Sequence, residues 1–256
     1  MNFETMGNPK NPVILFFHAM GVTGKSSERI AKYLTENYFC ILPTSTVYCK
    51  GQDYLSKFEE IKQLESFLDQ LQIKSIDLLV ASSIGADLAM AFLSKSKREI
   101  QHVFIDGGQF AQIGKTTRKF MVPFLYLAIK SIYWTKGKSL KKILWCHDSS
   151  IQPYFIEAGK NLSYPNLKKQ LSDSLEDKAF PVLSKEMQSR IYFEFGSIED
   201  HFKYRNVVMK SYPFSIFPIF LDYNHMQYQI RDPKGFAIML KTIIEENHLP
   251  DLPFLK

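Results

Sequence analysis

Cysteine is scarce in this chain of 256 residues. Cys40, Cys49 and Cys146 are the only three, too few and too far apart for a disulfide framework or a zinc site, so reduced structural thiols are expected. Apolar runs are short, and none approaches the roughly 20 residues that a membrane-spanning helix needs. The opening residues Met1 to Met6 lack a basic segment followed by an apolar core, so no secretory signal is expected and the location read from the sequence is cytoplasmic. Repeats and low-complexity tracts are absent. With 45% hydrophobic and 23% charged residues, the composition excludes disordered, collagen-like and coiled-coil classes. Acidic residues are missing between Gly107 and His147, a stretch that holds Lys115, Arg118, Lys119, Lys130, Lys136, Lys138, Lys141 and Lys142. Such a patch suits a solvated face or an anionic partner: a phospholipid surface, an acidic substrate or nucleic acid.

What the chain does contain is alternation. Val13 to Phe17 and Phe39 to Leu42 are continuous apolar runs of the kind buried on both faces of a parallel sheet. Strands are also expected at Asp77 to Ala81, Val103 to Ile105, Ile191 to Phe195 and Ser215 to Phe220, with Pro218 placing the last at an edge or bulge. Helices are expected between them: a capped one from Ser26 to Leu34, an amphipathic one from Asp53 to Leu71, then Phe202 to Lys210 and Phe236 to Glu246. Strand and helix alternating in this way predict an α/β fold with a mostly parallel, doubly wound sheet. From Phe110 to about Met187 the alternation stops, and aromatic clusters at helical spacing are interrupted by Pro123, Gly137, Pro153, Pro165 and Pro181. That stretch reads as a helical insertion, dividing the chain into 1–109, 110–187 and 188–256. Val122 to Trp134 is too short to span a bilayer but suited to lie on one.

Between the strand at Asp77 and the helix that follows, the chain turns sharply at Ser83. Its neighbours two places away are Ala81 and Gly85, as a strand and a helix that nearly touch require. The segment Ala81-Ser82-Ser83-Ile84-Gly85 resembles the nucleophile elbow, G-x-S-x-G, of the α/β-hydrolase superfamily, with Ala for the first Gly. Three further segments fit the resemblance in chain order. His18-Ala19-Met20-Gly21 ends the first strong strand where the family carries its His-Gly oxyanion loop, with Ala19 in place of Gly. Gly196-Ser197-Ile198-Glu199-Asp200 stands where the family places its acid. Spacing after the Gly selects Glu199 and commoner chemistry selects Asp200; both are kept, with Asp106 a third candidate. Asp222-Tyr223-Asn224-His225-Met226 resembles the catalytic histidine loop.

The resemblance implies an α/β-hydrolase fold with a helical lid over the 110–187 insertion, and an esterase- or lipase-like serine hydrolase. Ser83 would be the nucleophile and His225 the general base, with Glu199 or Asp200 orienting it and the N–H groups of Met20 and Ile84 forming the oxyanion hole. His18 is read as organising its loop. No metal or organic cofactor is required. The expected partner is a small acyl substrate, with weak membrane-surface contact through the basic lid and no nucleic acid. Two other readings stand beside it. Ala19-Met20-Gly21-Val22-Thr23-Gly24-Lys25-Ser26 matches the P-loop pattern G-x-x-x-x-G-K-[ST] with Ala for the first Gly, and Asp106 could then hold Mg²⁺. A catalytically silent α/β-hydrolase fold that binds a ligand is the other.

Overall fold

The computed structural model describes residues 1–108, 110, 113–140, 149–175 and 180–256; Lys141, Lys142 and Cys146, singled out above, lie outside them. The strands are β1 (Asn2–Met6), β2 (Val13–Phe17), β3 (Phe39–Thr44), β4 (Ser75–Ser82), β5 (Glu99–Asp106), β6 (Ile191–Gly196) and β7 (Ile219–Phe220). They form one sheet in the order β1-β3-β2-β4-β5-β6-β7. β1 runs antiparallel to β3 and all other neighbours are parallel.

Each central strand feeds two cores because successive side chains point to opposite faces. Along β2, Val13, Leu15 and Phe17 enter one apolar cluster, while Ile14 and Phe16 enter the other. This is why β2 is apolar at every position and β3 at all but its last, Thr44: neither face meets water. The helices are α1 (Glu28–Ala31), α2 (Lys57–Gln70), α3 (Gly85–Lys95), α4 (Lys115–Trp134), α5 (Gln152–Asn161), α6 (Tyr164–Leu175), α7 (Lys185–Gln188), α8 (Arg205–Ser211), α9 (Gln227–Arg231) and α10 (Pro233–Glu246). α2 and α3 cover the first face through Ile61, Leu64, Leu68, Ala89 and Phe92. α1 and α10 cover the second through Ile30, Phe236, Leu240 and Ile243. The sheet is doubly wound, as the alternation predicts.

Between β5 and β6 the chain leaves the sheet. The inner faces of α4, α5 and α6 form a third apolar cluster with Val47, Tyr48 and Tyr54, against which Met20 and Ile84 pack. These helices therefore lie over the ends of β2 and β4. Pro123 does not break the sequence into separate helices: it sits inside α4, which runs through it.

Three elements differ from the sequence expectation. The expected helix from Ser26 is a 3₁₀ turn, Gly24–Ser27, followed by the single turn of α1, with no side-chain cap; the Gly24 N–H donates instead to Thr44 Oγ1 at 2.9 Å. α2 starts at Lys57, where the Ser56 side chain accepts from the Glu59 N–H at 3.2 Å. Leu55 therefore precedes the helix, and Leu55, Phe58 and Leu71 are exposed rather than part of its inner face. The last strand is only two residues long, although its approach is still bonded to β6: Phe195 N–H donates to the Pro218 carbonyl at 3.1 Å. Pro218, lacking an N–H, occupies the sheet edge as expected.

The tightest joint is where α3 leaves β4. A Cβ at Gly85 would lie 2.6 Å from the Phe17 carbonyl oxygen and 2.9 Å from that of His18, and backbone atoms cannot turn aside. Gly85→Ala is expected to lower stability by about 2 kcal/mol, measured by urea unfolding; an unchanged midpoint would show that β2 and α3 separate freely.

Candidate active site

Ser83 occupies the junction that Gly85 permits. Its φ is +56°, a left-handed conformation that crowds Cβ against the following carbonyl in any residue but glycine. The strain is held from both sides: the Ser83 N–H donates to the Asp106 carbonyl at 3.1 Å and the Ala86 N–H to the Ser83 carbonyl at 3.0 Å. Ile84 is the N-cap of α3, so its N–H is one of those that the helix itself cannot satisfy.

His18 is buried and neutral. Its Nε2 accepts from the Ser45 N–H at 3.1 Å, which fixes the proton on Nδ1, where it is donated to the Ala19 carbonyl at 2.8 Å. Burial pushes its pKa down to about 4. Ser45 Oγ donates to the buried carboxylate of Glu60 at 2.8 Å, and the Gly21 N–H donates to Tyr48 Oη at 2.8 Å. The loop carrying Met20 is thereby fixed by polar bonds on both sides, and His18 organises it as expected.

His225 lies on the loop after β7. Its ring rests on Gly107, where a Cβ would come within 2.2 Å of Nδ1 and 3.3 Å of Glu199 Oε2. His225 Nδ1 is 3.1 Å from Glu199 Oε2. Its Nε2 is buried without a hydrogen-bond partner among the described residues, so the Ser83 hydroxyl does not reach it in this arrangement. Glu199 follows β6 and its side chain is fully enclosed. Asp200 is exposed at the start of a 3₁₀ turn. Asp106, the third acid considered, bonds elsewhere: Oδ1 accepts from the Met226 N–H at 3.2 Å and Oδ2 from Gln229 Nε2.

Burial dominates the electrostatics. It raises Glu199 to about 7, against the pull of His201, and lowers His225, against the negative charge of Asp106. Asp106 and Glu194 are register partners on β5 and β6, both enclosed. Both are raised by burial, Glu194 well above the ordinary range and further by the facing Asp106 carboxyl, to which it is hydrogen-bonded. Two carboxyls so close in an apolar layer share a proton.

His201 completes the neighbourhood, its ring centroid 5.1 Å from that of His225. Glu199, His201 and His225 offer ligand atoms within 4.8 Å of one another, the one set among the described residues with metal-binding spacing. Glu199 Oε2 is already engaged with His225 in that set. The P-loop pattern forms no cradle: Lys25 is paired with Glu157 at 3.3 Å and Glu4 at 3.8 Å. Sequence reasoning passed over Gly107, Glu194, His201 and Gln229. Glu194 carried a readable signal, since an acid inside an otherwise apolar strand needs a partner; Gly107 and Gln229 carried none.

No protein-family model and no curated protein matches this sequence. Solved structures do resemble it. A protein from Desulfitobacterium hafniense described as of the α/β-hydrolase family superposes with a TM-score of 0.73 at 15% identity, over 95% of this chain and 100% of that one. A thermophilic esterase from Thermogutta terrifontis gives 0.72 at 13%, over 96% and 93%. A carboxylesterase structure from Nitrososphaera gargenis gives 0.70 at 13%, over 96% of each chain. The chain has the α/β-hydrolase fold.

Because Glu199 holds its proton more tightly folded than unfolded, its contribution to stability is complete below its unfolded pKa and is lost as pH rises through about 7. Glu199→Gln mimics the protonated acid. Its stability relative to the parent is expected to climb across that window by up to about 3 kcal/mol, read from paired urea unfolding curves; a constant difference would mean an ordinary carboxylate.

Proposed function

We propose that this protein is a serine hydrolase that cleaves a carboxylic ester or thioester through an acyl-enzyme. The observation that carries the reading is a non-glycine residue, Ser83, held at φ +56° on a strand-to-helix turn while the half-buried His225 and the enclosed Glu199, 3.1 Å apart, stand at the same edge of the sheet. Strain of this kind persists where the surrounding structure enforces it, and it clusters at functional sites.

In this mechanism Ser83 Oγ attacks the substrate carbonyl carbon while His225 Nε2 takes the hydroxyl proton. The Oγ–C bond forms, and the carbonyl oxygen gathers negative charge under the N–H groups of Met20 and Ile84. His225 then returns the proton to the leaving alcohol or thiol as its bond to carbon breaks. Water repeats the sequence with His225 again as base, releasing the acid and freeing Ser83. Glu199 rather than Asp200 holds the imidazole through Nδ1, because Glu199 is the acid that His225 touches. The free Nε2 is the position from which a proton is exchanged, and a serine rotation on substrate binding brings Oγ to it; such bonds are often open before substrate arrives. Helices α4, α5 and α6 would act as a lid, and their apolar inner faces favour an apolar acyl or aryl group. Location in the cytoplasm is part of the same reading.

Three outcomes test it. Wild-type protein should form one covalent adduct with a fluorophosphonate, absent in Ser83→Ala, and lack of any wild-type adduct would favour a silent binding protein. Glu199→Gln should lower kcat toward a soluble aryl ester by at least about a hundredfold, while Asp200→Asn stays within about twofold; the reverse order would reassign the acid. Finally, kcat/KM should rise with pH through about 7, as Glu199 loses its proton, and Glu199→Gln should abolish that limb.

A further inference from the structure

Helix α4 has two apolar faces. Arg118, Val122, Ile129 and Ile132 are buried and hold it against the rest of the fold. On the opposite side Phe120, Phe124, Leu127 and Trp134 are 71%, 68%, 55% and 60% exposed. At 100° per residue those four positions fall within about 80° of arc and run for about 20 Å along the axis. A surface helix ordinarily turns polar residues to solvent; here the outward stripe is aromatic and apolar except at Ser131.

Cations frame the stripe. Lys115 and Lys119 at one end and Lys136 and Lys138 just past the other are exposed, and no acid occurs between Gly107 and His147. Beside the first of these, a groove of about 510 Å³ between α4 and α6 is lined by Lys115, Arg118, Lys119 and Lys168 together with Pro123 and Tyr164. No helix among the described residues is long and apolar enough to cross a membrane.

We propose that this face docks the protein on the surface of an anionic phospholipid bilayer. Phe120, Phe124, Leu127 and Trp134 enter the boundary between headgroups and acyl chains, and Lys115, Lys119 and Lys168 meet headgroup phosphates at the groove. An apolar stripe bordered by lysines is the pattern of a helix lying in a membrane interface, where apolar burial and attraction to anionic lipid act together. Charge decides against a second copy of the chain, because face-to-face association would press the same lysines together. The apolar stripe decides against nucleic acid, since a phosphate backbone offers nothing to Phe124 or Leu127. The inference stands whether or not Ser83 is a nucleophile.

The test is flotation of the protein with phosphatidylcholine vesicles and with mixed phosphatidylcholine–phosphatidylglycerol vesicles. Wild type is expected to float with the mixed vesicles, less so at high salt, with a blue shift of tryptophan emission that Trp134→Phe removes. Phe120→Ser combined with Phe124→Ser should reduce binding by at least about tenfold, and Lys115→Glu with Lys119→Glu should abolish the preference for anionic vesicles. Circular dichroism and the unfolding midpoint check that each variant folds. Failure of wild type to float, or flotation that both double substitutions leave unchanged, overturns the proposal. A dimer in sedimentation that Phe120→Ser with Phe124→Ser dissolves, with no vesicle binding, overturns it in favour of self-association.

Discussion

The approach of α3 to the end of β2 is the contact from which the rest of the arrangement follows. Gly85 sits where a side chain would strike two backbone carbonyls, those of Phe17 and His18. Because the helix starts that close, the chain must reverse direction in the two residues after Ser82, and Ser83 takes the left-handed conformation as a result. The same closeness sets the Met20 loop next to the first turn of α3, so the two candidate oxyanion donors come from segments pressed together. Geometry at the site is thus a by-product of packing in the sheet. It is not an added feature of a loop.

Around the far side of Ser83 the chain encloses three acids. Asp106, Glu194 and Glu199 are all enclosed and all raised by burial, so each gives up its proton less readily than a carboxyl in water. This has a structural use. Asp106 accepts from the Met226 N–H and from Gln229, so it fixes the residue after His225 and the helix that follows, while its partner Glu194 holds it from the next strand. Met226 itself is left-handed, at φ +57°. A second strained residue beside the histidine is maintained by a buried carboxyl pair, much as the first is maintained by close packing.

How much of this the sequence discloses depends on the range of the interaction. The strands were legible because burial on both faces demands apolar residues at every position, as in Val13 to Phe17. The elbow was legible because its requirement for small residues is local: Ala81 and Gly85 lie within two places of Ser83. Glu199 and Asp200 could not be separated on the same grounds, since they are adjacent and what distinguishes them is a contact with His225, 26 residues away. Gly107 is a stronger case of the same kind. No neighbouring residue in the sequence announces it; the demand comes from its own left-handed backbone, at φ +58°, and from the His225 ring that rests on it. The difference at Ser26 to Leu34 has the opposite sense: good local helix signals there yield only a 3₁₀ turn and the single turn of α1.

The two faces of α4 connect the proposed docking surface to the proposed chemistry. Its inner side, through Val122 and Ile129, belongs to the apolar cluster against which Met20 and Ile84 pack, and a Cβ on Gly21 would meet Ile129 and Phe155. One layer of side chains therefore separates the exposed aromatic stripe from the residues whose N–H groups would receive the oxyanion. Interiors packed to this density do not deform smoothly; a helix drawn outward carries its neighbours with it or leaves a void. Insertion of Phe120 and Phe124 into a bilayer would pull on α4 from its outer side, and the side chains most directly affected on its inner side are those at the candidate site. A lipid surface would on this argument do more than hold the protein in place: it would act on the same contact that covers Met20 and Ile84.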